Sequence, residues 1–190
     1  MNVMTASADP RIDIAPLLAR IAGLLGDLRS DHAGETGAVM IYRGILAGSA
    51  DPAIRAFATE HLATEAGHLR LLEAMLAPGQ RSILLPIWRV AGFLTGWLPA
   101  IAGPRAVYAT IEAVETFVDH HYEEQIVKLG RTGEEGALRR LLETCQGEEV
   151  HHRDEAAAAL GTAPRGALLR AWAFVVGSGS AAAVAAARRI

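Results

Sequence analysis

The chain has 190 residues, enough for one domain with a core of its own, and nothing in the sequence suggests a second domain. Its formal net charge is -3 and it has no basic stripe or tail, which excludes nucleic acid as a partner. The single cysteine, Cys145, excludes an internal disulfide framework and a metal site made of four cysteines. Any bound metal must therefore be held by glutamate and histidine side chains.

Glycine and proline punctuate a sequence that otherwise follows a helical period, which predicts an all-α fold. The first helix is expected from about Asp13 to Ala47, with a bend near Ser30-Asp31. The second follows a cap at Ser49 or Asp51 and ends before Pro78. These two helices form the first half of the predicted bundle.

The second half of the bundle is predicted from two further helices. One begins at Gly103-Pro104 and ends before Gly130, and the next follows the turn at 131–133. Beyond Pro164, residues 167–189 predict a last, alanine-rich helix, split at Gly177-Ser178-Gly179. Its small residues suit close packing against another helix or a second subunit, and we expect a homo-oligomer.

Residues 82–102 form an almost wholly apolar segment with one charge, Arg89, and two tryptophans, Trp88 and Trp97. The segment could just cross a bilayer, but Pro86 and Pro99 are expected to break it. A segment lying in the membrane surface therefore fits better than a span. A buried connection within the bundle and an oligomer contact are the alternatives.

Two Glu-x-x-His units give the strongest chemical signal in the sequence. Glu65 precedes His68 by three residues, and Glu149 precedes His152 by the same interval, so each pair shares one helix face. Each unit is preceded by another inward glutamate, Glu35 or Glu115, 30 or 34 residues upstream. Two such units with two further glutamates form the ligand set of di-iron carboxylate bundles.

The charge balance favours metal over a purely structural network. Burying four unpaired carboxylates would cost several kcal/mol each, whereas two divalent irons supply four compensating charges. Glu148 and His151 have the same spacing as Glu149 and His152, but the helical period places the latter pair at the centre of the apolar face. Glu112, one turn before Glu115, is the main competitor for that ligand position.

Other polar residues have candidate roles around this centre. Ligating imidazoles usually donate their outer N–H to a carboxylate, and three aspartates are candidates for that role: Asp31, Asp119 and Asp154. His121 or Tyr122 could line a substrate pocket or carry electrons. The alternative role of these two residues is simple packing. For His32 and His61 a surface or cap role is favoured over a position near the site.

At these residues the sequence resembles the demethoxyubiquinone hydroxylase family, the ferritin-like di-iron monooxygenases of ubiquinone biosynthesis. The matching runs are Arg29–Glu35 with Gly37 and Ile41-Tyr42, Glu65–Leu69, Leu85–Trp88 with Gly92-Phe93, Ala113–Glu115 with His120–Tyr122, and Glu148–Asp154. The match covers about 28–190, the expected di-iron domain. Residues 1–27, an N-terminal extension with the start of the first helix, have no counterpart.

The resemblance implies a ferritin-like four-helix bundle with an added amphipathic segment and a C-terminal helix. It implies iron ligation by Glu35, Glu65, His68, Glu115, Glu149 and His152. It also implies that residues 82–103 attach the protein peripherally to a membrane, where it reaches a polyprenyl quinone. The expected reaction is hydroxylation of demethoxyubiquinol with O2 and electrons from NADH or a reductase.

Other features of the sequence bear on the electron donor and on the location of the protein. The sequence has no glycine-rich dinucleotide fingerprint. NADH would therefore bind at a surface without a recognisable motif or act through a partner protein. Residues 1–10 lack the features of a secretory signal, and we expect an intracellular protein on the cytoplasmic face of the inner membrane. A lipid-binding accessory protein is compatible with this reading. The alternatives are a ferritin-like ferroxidase that stores iron and a non-catalytic membrane scaffold.

Overall fold

The computed structural model describes residues 12–133 and 136–190, and every regular element in these ranges is helical. The elements in chain order are α1 (Ala15–Arg20), α2 (Leu24–Gly48), α3 (Pro52–Met75), a 3-10 turn (Pro78–Gln80), α4 (Leu85–Ala102), α5 (Pro104–Arg131), α6 (Ala137–Leu160) and α7 (Ala167–Ala187). This confirms the predicted all-α fold.

Four long helices, α2, α3, α5 and α6, form a bundle in which α2 packs on α3 and α5 packs on α6. Both α4 and α7 pack on α2 and α5, so they cover the same side of the bundle. The apolar core has two parts. One part includes Leu28, Leu72 and Leu142, and the other includes Ile45 and Ile111. A band of buried polar side chains lies between these two parts.

Local chemistry explains where the bundle helices begin. The Asp51 side chain caps α3, because its Oδ1 accepts hydrogen bonds from the backbone N–H groups of Ala53 and Ile54 at 2.8 and 3.2 Å. Pro52 occupies the first turn, where no backbone donor is needed. The predicted start of the second bundle helix is therefore confirmed.

The prediction of one first helix from about Asp13 to Ala47 was wrong, because α1 ends at Arg20 and α2 begins at Leu24 and continues through Ser30-Asp31. The chain turns earlier, at Gly23, which adopts a left-handed conformation with φ 77° and separates α1 from α2. The Ser30 hydroxyl donates to the Asp27 carbonyl oxygen at 2.6 Å, a bond made within the helix. It therefore does not interrupt α2.

Two predicted interruptions were also wrong. Helix α4 is continuous through both prolines. Pro86 lies in the first turn, where no backbone donor is needed. Pro99 lies inside the helix near its end and removes one backbone hydrogen bond, but its side chain is buried and the helix continues to Ala102. Helix α7 continues through Gly177–Gly179. Val176, immediately before these residues, is buried against the bundle, and this packing offsets the low helix propensity of glycine.

Glycine residues allow α4 to lie unusually close to α2. A Cβ atom at Gly92 would lie 2.5 Å from the Gly37 carbonyl oxygen, and one at Gly96 would overlap the Ile41 carbonyl oxygen. Gly44 of α2 has the same relation to the backbone of Phe93. The small face of α4 is therefore its packing face.

This packing leaves the aliphatic face of α4 outside. Its exposed side chains are Ile87, Val90, Leu94, Leu98 and Ile101, and α7 likewise exposes Leu168, Phe174 and Val175. By length and composition, α4 and α7 are the two described helices that could cross a membrane. Only 22% and 6% of their apolar windows, respectively, are buried in the protein.

We expect Gly96→Ala to lower the free energy of unfolding by about 1–3 kcal/mol, because the added methyl group forces α4 away from the Ile41 carbonyl. Gly147→Ala on α6 is the matched control, since a Cβ there meets no atom within 4 Å. The control should be neutral or stabilising by up to about 1 kcal/mol. Urea unfolding curves would measure both, and equal effects would contradict the close-packing argument.

Candidate metal centre

The bundle helices bring all six predicted metal ligands together in the middle of the protein. Helix α2 contributes Glu35, α5 contributes Glu115, and the two Glu-x-x-His units come from α3 and α6. The exposed fractions of the six residues lie between 1% and 4%, in the polar band between the two parts of the core. The helical period therefore correctly identified side chains that point inward.

The donor atoms fall into two overlapping groups whose members all lie within 4.8 Å of one another. One group comprises Glu35, Glu65, His68 and Glu149, and the other comprises Glu65, Glu115, Glu149 and His152. Glu65 and Glu149 belong to both groups. Each group offers one imidazole and three carboxylates, an arrangement that can hold one metal ion on each side of a shared carboxylate pair.

The inward nitrogen of each histidine is Nδ1. In His68 this atom lies 3.0 Å from Glu149 Oε1 and 3.6 Å from Glu35 Oε2. In His152 it lies 3.1 Å from Glu65 Oε1 and 3.3 Å from Glu149 Oε2. Both imidazoles therefore present the same ring atom to the shared carboxylates.

Without a bound cation, the buried carboxylates of the cluster destabilise the folded protein. Burial, and then the neighbouring carboxylates, raise the pKa values of Glu65 and Glu115 well above the usual range. For Glu149, burial also acts to raise the pKa, but the contacts with His152 and His68 outweigh it and lower the pKa to about 2. The groups therefore compete for a limited amount of compensating positive charge.

The same atoms are also short of hydrogen bonds. Both carboxylate oxygens of Glu65 and of Glu149, and the Nδ1 atoms of His68 and His152, are buried without a hydrogen-bond partner. The short nitrogen–oxygen distances above do not have hydrogen-bond geometry. Buried polar atoms of this kind are normally paired, and a divalent cation would satisfy the oxygens and nitrogens together. The residues therefore fit a carboxylate–imidazole metal centre.

Two phenol groups hold the outer carboxylates. The Tyr122 hydroxyl donates to Glu35 Oε1 at 2.6 Å, and the Tyr42 hydroxyl donates to Glu115 Oε1 at 3.3 Å. Both tyrosines are buried, and burial raises their pKa values well above the usual range. The tyrosines thus remain hydrogen-bond donors that orient Glu35 and Glu115.

Two competing ligand assignments point away from the cluster. The Glu148 side chain is 49% exposed and His151 is 72% exposed, so the neighbouring register of α6 faces outward. Glu112 instead forms an ion pair with Arg165 at 2.5 Å. These positions agree with the choice of Glu149, His152 and Glu115 from the helical period.

None of the three aspartates predicted to support the imidazoles is bonded to one of the two inward histidines. Asp31 contacts His121 and Gln125, while Asp119 and Asp154 pair with Arg153. The residue found in that role is Glu148, whose Oε2 lies 2.5 Å from the outer nitrogen, Nε2, of His68. Sequence spacing could not reveal this contact, because it depends on how α3 and α6 face each other.

The favoured surface or cap role for His32 and His61 was wrong, because each is only 1% exposed. The His61 ring lies edge-on against His152, with centroids 4.0 Å apart, and its Nε2 lies 3.0 Å from Glu155. Burial, followed by the proximity of His152, lowers the pKa of His61 to about 4. The sequence did contain a sign of this position: His61 precedes Glu65 by four residues, which places both side chains on the same face of the helix.

A cavity of about 320 Å³ reaches the cluster from the side covered by α4 and α7. Glu35, Glu65, Glu115 and Glu149 lie at its polar end, and most of its remaining wall is apolar. The apolar wall includes Trp88 and Ala91 of α4, and Trp172, Val176 and Ala183 of α7. The cavity therefore joins the glutamate–histidine cluster to the two helices with exposed apolar faces.

The predicted pair His121 and Tyr122 also lines this cavity. The His121 Nε2 atom lies 2.9 Å from Asp31 Oδ1, and Arg188 donates to its Nδ1 at 3.3 Å. This arrangement fits one tautomer, in which Nε2 carries the proton. The ring is thereby fixed at the side of the cavity.

Together, the bundle and the buried glutamate–histidine cluster define a ferritin-like helical protein able to hold metal. The sequence profile described as ubiquinone biosynthesis protein COQ7 matches residues 24–187. The chain belongs to this family, which confirms the resemblance found in its motifs.

Individual relatives agree with this assignment. The 3-demethoxyubiquinol 3-hydroxylase of Rhodospirillum rubrum is 38% identical over 130 residues, covering 67% of this chain and 60% of that protein. The mitochondrial NADPH-dependent 3-demethoxyubiquinone 3-hydroxylase of Dictyostelium discoideum is 37% identical over 131 residues, covering 66% and 59%. A 3-demethoxyubiquinol 3-hydroxylase of Cupriavidus necator is 30% identical over 176 residues, covering 87% and 84%. The chain thus spans about three-fifths of the first two relatives.

We expect Mn²⁺ to raise the melting temperature of the metal-free protein, because the ion binds the folded cluster and compensates its buried charge. Glu115→Gln should lose most of this increase while keeping its metal-free stability, since one buried carboxylate is neutralised. Glu112→Gln, one turn away and paired with Arg165, should keep the increase. A thermal scan of the three proteins that gave equal increases would contradict the placement of Glu115 at the site.

Proposed function

We propose that this protein is a di-iron monooxygenase that hydroxylates the ring of a polyprenylated demethoxyubiquinol in ubiquinone biosynthesis. The observation that supports this proposal most directly is the largely apolar cavity that ends at the buried glutamate–histidine cluster. Such a cavity suits a lipid-like substrate whose ring must approach a metal centre. The hydroxylase names of the R. rubrum and D. discoideum relatives agree with the reaction.

The six buried residues Glu35, Glu65, His68, Glu115, Glu149 and His152 would hold the two irons. Carboxylate and imidazole donors suit ferrous ions, and the four carboxylates match the charge of two Fe²⁺. When bound, a di-iron centre supplies the reduction of O2 and the transfer of one oxygen atom to the ring.

The chain's own residues would prepare the site for this chemistry. Tyr122 and Tyr42 orient Glu35 and Glu115 through hydrogen bonds, which limits the positions that these carboxylates can adopt. The apolar wall formed with α4 and α7 excludes water from the substrate ring. We place His121 and Tyr122 beside the substrate, where His121 is fixed by Asp31 and Arg188.

The reducing equivalents would come from NADH, from NADPH or from a reductase. The D. discoideum relative is named as NADPH-dependent, whereas this sequence has no glycine-rich dinucleotide fingerprint. A nicotinamide cofactor would therefore bind at a surface without that fingerprint or act through a partner protein. A lipid-binding accessory protein and a homo-oligomer are compatible with the same proposal.

The cavity and the outer helices favour this function over iron storage and over a structural scaffold. A ferroxidase has no need of a largely apolar cavity of about 320 Å³ beside its metal site. A structural scaffold would not require buried carboxylate oxygens without hydrogen-bond partners. Such oxygens destabilise the folded state unless a ligand binds them.

The function is tested by supplying the purified iron-loaded protein with a short-tailed demethoxyubiquinol, ¹⁸O2 and a chemical reductant. We expect the product to gain one ¹⁸O atom, as read by mass spectrometry, because a monooxygenase transfers one oxygen atom from O2. Glu149→Ala should abolish the product and Glu112→Gln should retain it. Iron oxidation without incorporation of ¹⁸O would instead favour the ferroxidase.

We further propose that the protein lies on the cytoplasmic face of the inner membrane, attached through residues 82–103. The row of exposed aliphatic side chains on α4 includes Leu94 and Leu98, which are 43% and 42% exposed. An exposed apolar face of this size next to a largely apolar cavity suits the boundary between headgroups and acyl chains. Helix α4 would then lie in the membrane surface.

We expect the double variant Leu94→Asp/Leu98→Asp to lose most of its binding to phosphatidylglycerol-containing liposomes, because two charges would enter the apolar boundary. Val127→Asp is the control, since Val127 is exposed to a similar degree, 38%, but lies on α5. Liposome flotation would measure both proteins. Equal binding of the two would argue against attachment through α4.

A further inference from the structure

His68 lies between two neighbouring carboxylates of α6. Its Nδ1 atom is 3.0 Å from Glu149 Oε1 inside the cluster, and its Nε2 atom is 2.5 Å from Glu148 Oε2 on the outside. The His68 side chain is only 4% exposed, whereas that of Glu148 is 49% exposed. Consecutive residues of one helix thus contact opposite edges of the same imidazole ring.

The outer contact determines which nitrogen can bind a metal ion. A carboxylate can only accept at Nε2, so Nε2 carries the proton and donates it to Glu148. The lone pair of a neutral ring then lies on Nδ1, which faces Glu35, Glu65 and Glu149. The negative charge of Glu148 also makes this ring a better electron donor.

The second histidine lacks such a partner. Among residues 12–133 and 136–190, no carboxylate pairs with the outer nitrogen, Nε2, of His152. The ring of His152 instead lies against the edge of His61, with an interplanar angle of 62°. Each group of donor atoms contains three carboxylates and one imidazole. The two groups differ in the neighbour of that imidazole, which is the Glu148 carboxylate for His68 and the His61 ring for His152.

We infer that Glu148 is a positioning residue that fixes the His68 tautomer and makes the two metal positions unequal, the His68 position binding divalent metal more tightly. This inference rests on the proposed metal centre, since it concerns ligands of that centre. It differs from the earlier alternative in which Glu148 is itself a ligand, because its carboxylate contacts the far side of the ring. Glu148 therefore acts on the metal through His68.

The inference is tested by anaerobic titration of the metal-free protein with Co²⁺, followed by visible absorption. We expect wild type to bind two Co²⁺ with unequal affinities. Glu148→Ala should weaken the tighter site by about 10–100-fold, and Glu148→Gln by less, because its amide oxygen still accepts a hydrogen bond. Glu143→Gln is the control, an α6 glutamate of similar exposure, 43%, that pairs with Arg139. Its affinities should match those of wild type.

A second measurement separates positioning from a general effect on folding. In the Zn²⁺-loaded, ¹⁵N-labelled wild type, the His68 resonances should report a proton on Nε2 that exchanges slowly with water. In Glu148→Gln the exchange should be faster, while the amide spectrum of the bundle should be unchanged. Faster exchange in the Glu143→Gln control as well would overturn the assignment to Glu148.

The outcomes distinguish this inference from the proposed function. If wild type binds two Co²⁺ and both Glu148 variants bind them with unchanged affinities, only the positioning role is wrong. Equal weakening of both positions would also overturn it, because Glu148 contacts one imidazole alone. If wild type binds no Co²⁺, the metal centre itself is wrong and the positioning role falls with it.

Discussion

Four glutamate side chains are buried at the centre of one helical bundle, and the stability of the folded protein depends on how their charge is compensated. Helices α3 and α6 have few close backbone approaches, and Glu65, His68, Glu149 and His152 lie between them. The apolar core lies on both sides of this band and does not fill it. The same side chains therefore lie between α3 and α6 and form the candidate metal site. Stability and metal binding are linked at this point, because uncompensated buried charge opposes folding.

Much of this centre could be predicted from sequence because its information is local. The spacing of Glu149 and His152 on an apolar stripe identifies their face, and the same reasoning excludes Glu148 from the interior. What the local pattern could not give are contacts between helices. The approach of Glu148 to His68 and of Glu155 to His61 depends on the relative rotation of α3 and α6.

The helix boundaries show a similar division. The cap at Asp51 is encoded by neighbouring residues and was predicted, whereas the division of the first predicted helix at Gly23 was not. Proline and glycine in α4 and α7 suggested breaks, but both helices are continuous, with Pro86 in the first turn of α4 and with Pro99 and Val176 buried by packing. Glycine is required at positions 92 and 96 by the close approach of the α2 backbone rather than by a turn. Their role becomes visible only in the tertiary structure.

The two helices that complete the cavity wall, α4 and α7, lie outside the four-helix bundle that supplies all six predicted metal ligands. Replacing residues such as Ala91 or Ala183 on their inner faces would change the shape of the cavity without moving a carboxylate. The side chains that shape the cavity and those that could hold metal thus belong largely to separate parts of the chain. Related proteins with the same buried glutamate and histidine residues can therefore diverge in the size and shape of the cavity beside them.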